Sequence, residues 1–274
     1  MGRFQALGAV IWRLPSKSDE AISVVEISIS ESVNVETTDR PLEFTPRFSF
    51  PDMVIVAGYA SAEERERQLA STFGSMQWLW SEEEHFRFDQ SSRELCSFTF
   101  FMPSASAPSN VCGRVPEATQ RLVGGLRANA VREFGLPQAA LFCCGPAADE
   151  LMCVRDMDVF DKPLDVRLGV ASGLDLLVQE GALVGWSLAD PARYLTDGFA
   201  APVATPPSFA TRVRLAECLA LVSQPLVDEV MDQDPEAWRM LRATERSLRE
   251  QRGDRHRANL LHRVVSGLIE DFEP

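Results

Sequence analysis

The sequence predicts an α+β fold, in which a mainly antiparallel sheet is flanked by helices and ends in a helical C-terminal tail. Three observations predict it. Short strand-like runs separated by Gly, Pro and Ser clusters continue to residue 188. Two capped stretches with apolar residues at helical spacing interrupt those runs, and from residue 208 onward the chain reads as helix throughout.

Residues 5–14 read as a strand, and 21–36 as another, because Val25, Ile27, Ile29, Val33 and Val35 alternate with polar neighbours. A turn-rich stretch, 37–51, holds Pro41, Pro46 and Pro51, and the apolar run 53–59 then reads as a buried strand. Ser61 followed by Glu64 forms a capping box, and Leu69, Phe73, Met76 and Trp80 recur at helical spacing, which predicts a helix over 62–79. After the acidic turn at 82–84, residues 86–89 and 95–102 form a hairpin joined by a polar linker.

Residues 103–116 are rich in Ser, Pro and Ala without periodicity. They lead into a helix predicted over 117–134, with Gly135 and Pro137 as its stop signals. Short strands follow at 140–144 and 150–154 around a Gly145-Pro146 turn, then strands at 164–170 and within 174–188, with Gly181 at a hairpin turn. A connector with several prolines, 191–207, precedes three helical segments. The first, 208–223, is broken by Pro225; Asp234 and Pro235 start the second; Gly253 and Asp254 start the third, whose stripe is Leu260, Leu261, Val264, Val265, Leu268 and Ile269.

Hairpin, Pro-containing linker and helix occur in that order at 84–134 and at 164–223, which reads as a pseudo-duplicated hairpin–helix unit. The expected organisation is an α+β body over 1–207 and a helical segment over 208–274 packing back onto it. If the body is two similar halves, they are 1–136 and 137–207 together with the first C-terminal helix.

The chain has 274 residues, 27 Lys plus Arg against 40 Asp plus Glu, and a net charge of −13. That field repels phosphate backbones, so nucleic acid is an unexpected partner. No apolar run approaches the roughly 18 residues needed to cross a bilayer, so no membrane partner is expected. Residues 1–13 do not read as a signal peptide. The six cysteines then read as free thiols in a reducing cytoplasm.

Cys143 and Cys144, at the end of a strand beside a turn, suit a nucleophile only if a histidine lies near, and the three histidines, His85, His256 and His262, are distant in sequence. No zinc-type spacing occurs, and no metal or other cofactor is implied. Asp156 and Asp158 are hard oxygen ligands at i and i+2 that suit Mg²⁺ or Mn²⁺, with Arg155 and Lys162 as competing ion-pair partners. Phosphate-cradling loops and a nucleophile elbow are absent, and Gly124-Gly125 falls inside the helix predicted over 117–134.

Trp78 and Trp80 stand beside Glu82, Glu83 and Glu84, and tryptophans rimmed by acids suit a basic protein partner. The function expected is therefore an acidic cytoplasmic binding protein, immunity- or adaptor-like, that sequesters a basic protein partner without catalysis. One alternative is a metal-dependent enzyme acting on a phosphorylated or nucleotide-sugar substrate through Asp156 and Asp158. A structural or assembly subunit is the other.

Overall fold

The period-two run near the N-terminus breaks at Glu31 and Ser32 into an antiparallel hairpin, β1 (Glu26–Ser30) and β2 (Val33–Thr38). Ile27, Ile29, Val33 and Val35 point inward, while Glu26 and Glu36 stay exposed, as alternation on a half-buried strand requires. The computed structural model that shows this describes residues 24–75, 84–112 and 116–273. The strand expected over 5–14 lies outside the described residues.

β3 (Arg47–Ser49) and β4 (Val54–Ala57) follow the proline-rich turn. Ser61 caps α1 (Ala62–Ser71), its hydroxyl accepting from the Glu64 amide at 3.1 Å while Glu64 reaches back to the Ala60 amide at 2.6 Å. The helix expected over 62–79 stops at Ser71. Thr72 begins β5 (Thr72–Gly74), which pairs with β6 (His85–Asp89), and Phe73 stacks on Phe88 with ring centroids 5.7 Å apart. A cross-strand ring partner overrides the helical spacing there.

β6 and β7 (Leu95–Phe101) form the expected hairpin. β8 (Ala105–Ser106) and the single turn α2 (Ser109–Cys112) come next. The helix expected over 117–134 is absent; the chain forms β9 (Ala118–Val123) and β10 (Gly125–Ala128) instead. The reason lies at Gly124 and Gly125, where an added Cβ would stand 2.0 Å from the Thr38 carbonyl oxygen and 2.3 Å from that of Arg40. The glycine pair lets one bent strand pass against another backbone. With strands in place of the helix expected over 117–134, the first copy lacks a helix to match that of 208–223, and the pseudo-duplication is set aside.

β11 (Leu141–Cys144), β12 (Glu150–Val154), β13 (Leu164–Ala171), β14 (Leu174–Gln179) and β15 (Ala182–Ala189) then supply half of a ten-stranded sheet. Glu180 and Gly181, both at positive φ, make the tight β14–β15 turn. Pairings run β2–β1–β15–β14–β13–β9, and β10, continuous with β9, pairs back onto β2, so this part of the sheet closes on itself. β12, β11 and β8 extend outward from β15 as a wing. The second sheet has the order β16–β3–β4–β7–β6–β5, in which β16 (Leu195–Thr196) runs parallel to β3 and the other pairs are antiparallel.

Phe86, Phe98 and Phe100 of the second sheet are fully buried, and Phe100 stacks on Trp186 of β15 at 5.2 Å and 14°. The C-terminal helices are α3 (Phe209–Leu221), α4 (Leu226–Met231), α5 (Pro235–Glu250) and α6 (Arg255–Phe272). Asp234 caps α5, accepting from the Glu236 and Ala237 amides, with Pro235 at the first helical position. The buried side chains of α3, α5 and α6, among them Leu215, Leu241 and Leu261, join those of both sheets in one continuous cluster. The α6 stripe packs as its spacing predicts: Leu260, Leu261 and Val265 are buried, and Val264, Leu268 and Ile269 lie against them.

Candidate functional site

Four separate stretches of chain meet at a groove of about 1070 Å³. Val213, Ala216 and Ala220 of α3 form one wall, and Met240, Ala243 and Ser247 of α5 form a second. Phe142 and Cys144 of β11 lie opposite, continued by the exposed Gly145-Pro146 turn, and Ala107, Pro108 and Cys112 close the remaining side. Local sequence explains why these walls stay apart. The Gly145-Pro146 turn ends β11, and the prolines around β8 and α2 prevent that connector from extending into a long helix that would fill the space.

The lining is mostly apolar, and its charge is confined to Arg214 and Glu217, which pair with each other one helical turn apart. Met240 of α5 is 43% exposed. Burial pushes the Cys144 thiol up to about 12, helped by the neighbouring Cys112 and Asp149. Burial likewise pushes Cys143 up, and the neighbouring Cys112 adds to it. Both are therefore neutral thiols at pH 7. No histidine lines the groove, so the arrangement needed for a Cys143 or Cys144 nucleophile is not assembled there.

The histidines serve elsewhere. His85 is buried on β6, 3.4 Å from the Ser75 hydroxyl; burial, then the charges of Arg65 and Arg87, lower it to about 4, so it is neutral at pH 7. His262 lies 3.0 Å from Glu245 between α6 and α5, and His256 is exposed.

Asp156 and Asp158 stand together at the start of a short 3-10 turn. Asp156 caps it by accepting from the Asp158 amide at 2.9 Å. Its neighbours are engaged as well: Asp165 accepts from the Gly181 amide, Asp175 pairs with Arg167, and Lys162 pairs with Glu180 at 2.6 Å. Among the described residues no three His, Cys, Asp or Glu side chains gather into a group that could hold a metal ion.

Trp78, Trp80, Glu82 and Glu83 lie outside the described residues. Glu84 is described, and it points inward: it is buried between the sheets, and its Oε1 accepts from the Trp186 indole N–H at 2.7 Å. Burial raises its pKa to about 7, opposed by that hydrogen bond, by the charge of Arg155 and by the Ala139 amide. It therefore does not offer an exposed carboxylate to a partner, unlike the surface turn expected of residues 82–84.

The groove was hidden from sequence reasoning because its walls come from stretches as far apart as Ala107 and Ser247. Its one local trace is the aperiodic Ser-, Pro- and Ala-rich stretch 103–116. Among the described residues no helix is long and apolar enough to cross a membrane. Compared with protein-family models, curated proteins and solved structures, the chain matches none.

Proposed function

We propose that the protein is a non-catalytic binding protein, immunity- or adaptor-like, that holds an apolar-faced segment of a basic protein partner in the groove between α3, α5 and β11. The observation that carries this reading is the groove itself. At about 1070 Å³ it is larger than most small-molecule pockets, is open, and is lined by apolar side chains with one internally neutralised ion pair. Such a surface suits an amphipathic segment laid in by its apolar face. The net charge of −13 supports a basic partner by accelerating encounter. Trp78, Trp80, Glu82 and Glu83 are proposed as a second contact for the same partner.

The test compares tagged wild-type protein with Ala220→Arg and Met240→Glu, two exposed groove positions whose replacement leaves the core intact. Each is purified from its own host at low salt, and retained proteins are quantified. One basic protein retained in stoichiometric amount by wild type, released as salt shortens the screening length, and lost from both variants supports the reading. Equal retention by the variants, or a wild type that comes alone, overturns it. Trp78→Ala with Glu83→Lys tests the second contact in the same way.

A further inference from the structure

Cys112 and Cys143 come from different elements and meet beside the groove. Cys112 ends α2, and its thiol donates to the Ala107 carbonyl at 3.4 Å; Ala107 in turn donates its amide to the Phe142 carbonyl at 2.8 Å, one residue before Cys143. Cys112 stands close enough to Cys143 to push its thiol further up. Both pack in one small apolar cluster with Ala107, Met152 and Val154. Cys144, its side chain on the opposite face of β11, packs against the main core instead. The two thiols therefore share a face, and their accessibility is unequal: Cys112 is partly exposed and lines the groove, while Cys143 is 4% exposed.

We propose that Cys112 and Cys143 are a reversible dithiol–disulfide pair, a modification site that takes a low-molecular-weight disulfide as its oxidant. Cys112, as thiolate, attacks one sulfur of the small disulfide; the S–S bond breaks and one small thiolate leaves, taking up a proton from water. Cys143 then loses its proton to solvent and attacks the Cys112 sulfur, expelling the second small thiol. In total, two protein thiols and one small disulfide become one protein disulfide and two small thiols, so two electrons and two protons pass to the oxidant. The buried Cys143 need meet no reagent, because its target is already held beside it. The bond would fasten α2 to β11 and fix one wall of the groove. Thiol chemistry alone defines this inference, so it stands apart from the identity of any partner.

The experiment incubates the full chain with oxidised glutathione, digests it without reduction and identifies cross-linked peptides by mass spectrometry. A Cys112–Cys143 peptide pair, two hydrogens lighter than its parts and separated by dithiothreitol, is expected in wild type and in Cys144→Ser. It should be lost in Cys112→Ser and in Cys143→Ser, with Cys112 of the latter trapped as the glutathione mixed disulfide. Circular dichroism matching wild type shows that each variant is folded. Failure to react, a mixed disulfide at Cys112 that persists in wild type, or a cross-link joining any other pair overturns the proposal.

Discussion

The indole N–H of Trp186 reaches the carboxylate of Glu84 at 2.7 Å, joining residues 102 positions apart across the seam where the two sheets meet. Trp186 also stacks on Phe100, so one side chain fixes both the polar and the aromatic register of that seam. Arg155 supplies the nearby positive charge and donates to the Leu183 carbonyl. Cys153, buried beside them, has its thiol pushed well up, first by burial and then by Glu84.

The Glu84 carboxyl makes stability fall as pH rises. Its folded pKa, about 7, exceeds the ordinary 4.5, so its stabilising contribution is complete below the ordinary value and is lost as pH rises through 7. Glu84→Gln keeps an acceptor for Trp186 and removes the ionisation. Calorimetry should find this variant close to wild type at pH 5 and more stable at pH 8, by on the order of 3 kcal/mol at most. A stability difference independent of pH would mean that Glu84 is ionised throughout.

Arg257 is fully buried, paired with Asp254 at 3.0 Å and donating to the Val203 and Thr205 carbonyls at 2.9 and 2.8 Å. Asp254 also accepts from the Thr211 hydroxyl at 2.9 Å, tying the start of α6 to α3. Asp254→Asn leaves a buried guanidinium without its counter-charge and should cost roughly 3–5 kcal/mol in urea unfolding. Combined with Arg257→Met, the loss should be smaller than the sum of the single losses. Simple additivity would show that the two side chains act independently.

Gly58 adopts φ +100, and a Cβ there would stand 2.2 Å from the Cys96 carbonyl oxygen. Gly58→Ala should therefore lower stability by about 2 kcal/mol or more. Gly145, with open space around its Cβ position, should accept Ala within about 0.5 kcal/mol. Equal thermal shifts for the two variants would contradict the close approach of backbones at Gly58.

Iodoacetamide at neutral pH should alkylate Cys112 ahead of Cys153 and Cys218, both fully buried, whose thiols burial pushes well above their ordinary range. The buried pair should remain unmodified until denaturant unfolds the chain. Peptide mapping over time measures this order, and early modification of Cys218 would mean that α3 opens readily.

Patterns that depend on neighbours in sequence were legible. Val33 and Val35 face inward, Ser61 and Glu64 cap α1, Asp234 and Pro235 open α5, and the α6 stripe is buried as its spacing predicts. Patterns decided by distant chain were misread. Leu122, Leu126 and Phe134, with Gly135 and Pro137 behind them, imitate a helix, yet Gly124 and Gly125 answer to the carbonyls of Thr38 and Arg40. Phe73 continues a helical stripe in sequence but stacks on Phe88 across a strand pair. Glu84 sits in an acidic run and ends beneath Trp186, because its destination depends on a residue far along the chain.

The self-closing sheet also dictates an order of events during synthesis. The ring is sealed where Ser28 of β1 meets Ala182 of β15, and the Ser28 amide bonds the Gly181 carbonyl at 2.8 Å. β1 leaves the ribosome long before that partner exists, so one edge of the early hairpin stays unpaired while more than half of the chain is still being made. Such an edge attracts other strands until it is covered, and contacts so distant in sequence slow folding. The step that seals the ring is thus the one that protects β1, the earliest strand among the described residues, and a nascent chain stalled before β15 would still carry that edge unpaired.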